Sequence, residues 1–174
     1  MTDTLTAFAG TTRIANGPAC EVAVTLASYT GTDPILVWRD DNGQEIDLDL
    51  RGSQAEIRAR YAPATRGRGR PKLGVTPREI TLLPRHWDWL ATQRGGASAT
   101  LRRLVEDARK AEAKADGLPR HRIDVAWRFM SAMAGDLPGF EEASRCLYAH
   151  DLQGAEALMT DWPADIVAYV WTLL

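Results

Sequence analysis

Residues 66–110 read RGRGRPKLGVTPREITLLPRHWDWLATQRGGASATLRRLVEDARK, and no other stretch limits the possible folds as much. A basic, glycine-punctuated arm runs into a short apolar segment, a helix, a Gly-Gly break and a second helix. Residues 78–83 have the composition of a short strand, and Pro84 follows at a place where proline opens helices, since its missing N–H is not needed there. The first helix is expected over residues 84–94, with Trp87, Leu90 and Ala91 at i, i+3, i+4 on its apolar face. Gly95-Gly96 ends it, because glycine enters the left-handed region at no steric cost. Ser98 is the expected N-cap of the second helix, which reaches about Ala115 before Gly117-Leu118-Pro119 stops it. Along it Leu101, Leu104, Val105 and Ala108 recur at i, i+3, i+4, i+7, while Arg102, Arg103, Asp107 and Lys110 take the opposite face.

This order of strand, helix, glycine turn and Ser-capped helix resembles the ribbon-helix-helix domain of the Arc/MetJ kind. The resemblance implies a homodimer in which two chains pair their strands into a ribbon entering the major groove, with the start of the second helix on a phosphate. Carried over, residues 78–83 are the ribbon and Gly96-Ala97-Ser98-Ala99 the phosphate-binding turn. One departure lies in the ribbon itself: if Ile80 and Leu82 point inward, Glu79 and Thr81 face the groove and Arg78 has the wrong parity. A threonine beside an acid reads bases poorly, so phosphate contacts are expected to dominate affinity.

Upstream, Arg66-Gly67-Arg68-Gly69-Arg70-Pro71-Lys72 resembles the AT-hook, a peptide that lies along the minor groove of A·T-rich double-stranded DNA. Glycine has no Cβ to obstruct the narrow groove, proline keeps the chain extended, and arginines sit in the groove's negative potential. The expected DNA-binding residues are therefore Arg66, Arg68, Arg70, Lys72, Arg78, Thr81, Ser98 and Arg102.

Charge points the same way. The net −2 divides into −6 over residues 1–50 (two Lys/Arg against eight Asp/Glu), +10 over 51–122 (seventeen against seven) and −6 over 123–174 (two against eight). A basic middle suits a polyanion, and acidic flanks limit indiscriminate binding.

The first fifty residues read as strands. Val22, Val24 and Leu26 alternate with Ala23 and Thr25, and Ile46, Leu48 and Leu50 alternate with Asp47 and Asp49. Asp41-Asn42-Gly43 between PILVWRD and EIDLDL signals a hairpin, because Asn-Gly accepts positive φ at both turn positions. A small antiparallel sheet of three to five strands is expected, with Phe8 and Trp38 in its core or at its edge. Asp47 and Asp49 share a face, where a solvated edge outweighs a paired-carboxylate site lacking histidine neighbours. A short helix begun near Ser53 closes with Arg58, Arg60 and Tyr61. The last third carries helical stripes at Ala126, Phe129, Met130 and Met133, then Phe140, Ala143 and Leu147. Two more follow at Leu152, Ala155, Leu158 and Met159 and at Ile166, Val167, Val170, Trp171 and Leu174, giving a bundle of three or four helices.

The expected class is α+β in four parts: a small antiparallel β domain (1–52), a basic linker with the AT-hook-like arm (53–77), the ribbon-helix-helix-like element (78–116) and a C-terminal helical bundle (117–174). Over nearly its whole length the chain is also similar to a bacterial family of unknown function. The runs IDLDLRGS, GRGRPKLGV, REITLLPRHWDWL, GGASATLRRLVEDAR and RFMSAMAGDLPGFEEASRCLYAHD carry that likeness.

No cofactor, metal site or catalytic set is expected. His86, His121 and His150 are dispersed, and Cys20 and Cys146 lack zinc spacing. No apolar run is long enough for a membrane span, and MTDTLTAFAG lacks the pattern of a signal peptide, so a reducing cytoplasm is the expected compartment. The function read from these residues is DNA binding by a homodimer, as a transcriptional regulator or nucleoid-associated protein. The alternative is a protein-interaction or antitoxin-like adaptor that takes a partner on the acidic sheet or C-terminal helices, and an unrecognised enzyme ranks third.

Overall fold

The computed structural model describes residues 4–63, 77–114 and 118–174. Its elements run β1 (Thr4–Ala9), β2 (Thr12–Pro18), α1 (Ala19–Ala27), β3 (Ile35–Arg39), β4 (Glu45–Ile46), α2 (Gln54–Tyr61), α3 (Pro84–Ala91), α4 (Gly96–Lys114), α5 (Arg120–Met133), α6 (Phe140–Tyr148), α7 (Leu152–Leu158) and α8 (Ala164–Leu173). They divide into two compact units, one of residues 1–64 with 117–174 and one of residues 65–116.

The first unit is built on a four-stranded antiparallel sheet in the order β2-β1-β3-β4. The β1–β2 hairpin closes through Gly10-Thr11, with Gly10 at φ 55° in the first turn position, where a primed turn needs glycine. A bulge sets Ala7 opposite Ala15 and Phe8 opposite Arg13, so Ile14 is the extra residue. The expected β3–β4 hairpin forms, but its loop spans Asp40 to Gln44 rather than two residues. Within it Gly43 at φ 66° donates its N–H to Arg39 O at 2.9 Å. Strand β4 stops at Ile46, so the Ile46-Leu48-Leu50 alternation continues as irregular chain.

The alternation at Val22, Val24 and Leu26 misleads: this segment is helix α1. Over five residues a period of two also places 22, 23 and 26 on one helical face, and Val22, Ala23 and Leu26 are the buried ones. Thr25 and Ser28 return their hydroxyls to the carbonyls of Glu21 and Val24, satisfying themselves inside the helix. Helix α2 starts as expected, with Ser53 and Glu56 in a reciprocal capping box.

Each face of the sheet is covered. Leu5, Ala7 and Val37 pack with Val22 and Leu26 of α1. Phe8 and Trp38, on the opposite face by the pleat, join Phe129, Met130, Leu147, Met159, Ile166 and Tyr169 in the larger core. The N-terminal sheet and the C-terminal helices, expected as separate domains, thus share one core. At its centre the Phe129 ring lies 5.3 Å from Phe8, 5.4 Å from Trp38 and 4.7 Å from Tyr169, the last two edge-on. Four helices follow as the stripes indicate, broken at Pro138-Gly139, His150-Asp151 and Trp162-Pro163. Asp151 caps α7 by accepting Gly154 N–H at 2.9 Å, and Trp162 donates its indole N–H to Pro138 O at 2.8 Å.

In the second unit α3 ends at Ala91, three residues earlier than expected, and a turn leads to Gly95 and Gly96, both at positive φ. Helix α4 begins at Gly96, so Ser98 lies in its first turn instead of capping it. Residues 78–83 hold no strand. A ladder needs a neighbouring strand, and the single chain supplies none there.

Candidate nucleic-acid interface

The structural division coincides with the charge division. Residues 65–116 carry twelve Lys/Arg against six Asp/Glu, a net +6, whereas the first unit carries nine against seventeen, a net −8. One compact unit is therefore basic and the other acidic.

Of the expected DNA-binding residues, Arg66, Arg68, Arg70 and Lys72 lie outside the described residues. Arg78, Thr81, Ser98 and Arg102 are all exposed. Ser98 and Arg102 are one turn apart, hence on the same face of α4, next to a helix start whose first N–H groups lack intrahelical acceptors. Arg78 and Thr81 sit in the segment without a ladder. Sequence reading passed over Arg85, in the first turn of α3, and Arg94, directly before Gly95, both exposed. The signal for Arg94 was its position against the Gly-Gly break.

The apolar pattern differs from expectation. Trp87 is exposed, and it is His86, Trp89 and Leu90 of α3 that line an open groove of about 270 Å³ together with Leu82, Leu101 and Leu104. Leu90 and Thr100 are the only buried residues among the described side chains of this unit, and the Thr100 hydroxyl has no hydrogen-bond partner. The α4 stripe is thus largely uncovered, with Leu104 44% and Val105 59% exposed.

Elsewhere, polar clusters are occupied with the fold. Arg51 donates two hydrogen bonds to the Asp49 carboxylate, at 2.8 and 2.9 Å, and holds it well below the usual carboxylate range. Arg60 donates to the carbonyls of Asp49 and Arg51, and Asp49 N–H donates to the Tyr61 hydroxyl at 2.6 Å, so α2 is tied to residues 49–51. Asp49 is therefore a structural tie, as a non-catalytic reading of the Asp47/Asp49 pair requires. The sequence did not single out Asp40, whose Oδ1 accepts from Thr6 at 2.8 Å and Tyr169 at 2.6 Å while Asn16 reaches Oδ2 at 3.3 Å. Thr6 and Tyr169 are fully buried, which keeps this cluster away from any substrate. Among the described residues no group of three His, Cys, Asp or Glu side chains could hold a metal, and no helix is long and apolar enough to cross a membrane.

Comparison with known families gives one match: the model of a family described as an uncharacterized protein conserved in bacteria (DUF2239) covers residues 4–174. No curated protein and no solved structure matches the chain.

Proposed function

Since the chain belongs to this uncharacterized bacterial family, its own residues must supply the functional reading, and we propose that it docks on double-stranded DNA through residues 65–116. The observation that carries this is the coincidence of net charge +6 with a compact unit whose arginines are exposed and whose two helices meet at a Gly-Gly turn. Lysine and arginine on such a unit release counterions from the phosphate backbone. The Arg66–Lys72 arm would lie in the minor groove, and Ser98 with Arg102 would place the start of α4 on a phosphate. A ribbon-helix-helix homodimer, paired through residues 78–83, is the arrangement in which this element reaches a groove. The cellular role proposed is transcriptional regulation or nucleoid association.

Fluorescence anisotropy with labelled A·T-rich and G·C-rich duplexes tests the reading. Log affinity should fall linearly with log salt, and changing Arg68 and Arg70 together to Ala should reduce that slope by about 2, because each phosphate contact contributes roughly 0.9. Absence of duplex binding at about 50 mM NaCl, where electrostatic binding is strong, overturns it.

A second reading, an adaptor that takes a protein partner, draws on Trp127, Leu152 and Leu158, which are 37–41% exposed on the acidic unit. It expects a co-purifying protein that stays bound after residues 64–75 are deleted.

A further inference from the structure

The basic unit has an apolar face and almost no core. Leu90 and Thr100 are its only buried residues among those described, while Ile80, Leu83, Trp87, Trp89, Leu104 and Val105 are 42–59% exposed. No unit of this size gains stability from two buried side chains, so its apolar face needs a cover. We infer that a second copy of this chain is that cover, and that the pairing is held back by the positive charge each copy brings, so that salt or bound polyanion strengthens it. The inference rests on the reading of this unit as the docking element.

Area supports a second copy. Taking roughly 200 Å² for a large apolar side chain, the six half-exposed residues leave about 600 Å² per chain. Two chains then bury about 1,200 Å², the lower end of what stable interfaces need. Shape agrees, because one surface holds both the groove lined by Leu82, His86, Trp89 and Leu101 and, on the following turn of α4, the exposed Leu104 and Val105. A surface with both a hollow and a projection suits a two-fold pairing, in which each copy gives to the other what it receives. Residues 78–83, which find no ladder in their own chain, lie beside this groove through Leu82 and are free to pair with the same segment of the partner.

Charge sets the sign of the coupling. Two units at +6 repel across the interface, and both added salt and a bound polyanion weaken that repulsion. A ligand that binds the pair better than the single chain must drive pairing by the same factor.

Sedimentation velocity on the full chain, with and without a short DNA duplex, is the experiment. Pairing should tighten on the order of tenfold between about 50 and 500 mM NaCl, the range over which the screening length falls steeply. Val105→Glu, at a side chain exposed in the single chain, should weaken pairing by at least about tenfold, since it places a charge in the buried centre. Arg103→Glu, which lowers the charge of each copy from the opposite side of α4, should tighten pairing at low salt. A mass of one chain under all these conditions overturns the inference, as does pairing that weakens with salt or ignores Val105→Glu. Duplex binding by one chain alone also overturns it while leaving DNA docking intact. A salt-strengthened pair that binds no duplex upholds the interface and removes the DNA reading instead.

Discussion

The hydroxyl of Tyr169, in the last helix, donates a 2.6 Å hydrogen bond to Asp40, 129 residues earlier in the chain. Asp40 follows β3 directly and takes Thr6 of β1 and Asn16 of β2 as further donors, so one carboxylate joins the sheet to α8. Removing a single donor from this group leaves the others in place. Tyr169→Phe should therefore cost about 1.5–3 kcal/mol, the range for a hydrogen bond to a charged acceptor, measured by urea unfolding. A variant with an unchanged midpoint would show the bond to be dispensable.

The same tyrosine makes stability depend on alkaline pH. Burial, and then the bond to Asp40, push its phenol above the ordinary value of 10.0, so the folded chain keeps a proton that the unfolded chain gives up. Its contribution is complete below about pH 10 and declines as pH rises further. Tyr148, raised by burial and by Asp124, adds in the same direction. Urea midpoints measured on either side of pH 10 should fall less in Tyr169→Phe than in the native chain, and an equal fall would contradict the assignment.

On the acid side, the Asp49 carboxylate is held low chiefly by hydrogen bonds from Arg51, so its contribution is present above its ordinary value near 3.8 and is lost as pH falls below it. Asp49→Asn should flatten the acid limb and raise amide exchange in α2, which Arg60 and Tyr61 tie to this residue. Unchanged exchange in α2 would place its anchoring elsewhere.

Gly43 stands at φ 66°, and a Cβ there would lie 2.6 Å from the carbonyl oxygen of Val125 in α5. Arg128 of the same helix donates to Asn42 O at 2.8 Å, so the β3–β4 loop is seated on α5. Gly43→Ala should destabilise the first unit by about 2 kcal/mol or more, combining left-handed strain with a backbone clash. Thermal unfolding of the variant measures it.

Phe129 touches three aromatic rings at the point where sheet and bundle meet. Phe129→Ala should cost about 3–5 kcal/mol, as large-to-small changes in cores do. A loss under about 1 kcal/mol would mean the core collapses around the void.

Arg102→Ala should weaken duplex binding about equally for A·T-rich and G·C-rich sequences and lower the salt slope by about 1, because it removes a phosphate contact and no base contact. A change in sequence preference instead would make Arg102 a base reader.

Local chemistry was enough for part of this architecture. The capping box at Ser53, the Gly95-Gly96 break, the proline start of α3 and the four C-terminal stripes depend on neighbours a few residues apart, and they are where the sequence put them. The basic segment is likewise a property of composition alone, and it falls on one compact unit. What lay beyond the sequence depended on distant surfaces. Val22 to Leu26 fits either period, and only the sheet face bearing Leu5, Ala7 and Val37 makes it a helix. Strand β1 was missed because Leu-Thr-Ala-Phe-Ala looks unremarkable until both its faces are covered. Asp40 gained its role when strands β1 and β2 and helix α8 brought Thr6, Asn16 and Tyr169 around it, residues that no spacing rule connects. For residues 78–83 even the single folded chain is not enough, because backbone N–H and C=O groups make a strand only when a second strand faces them.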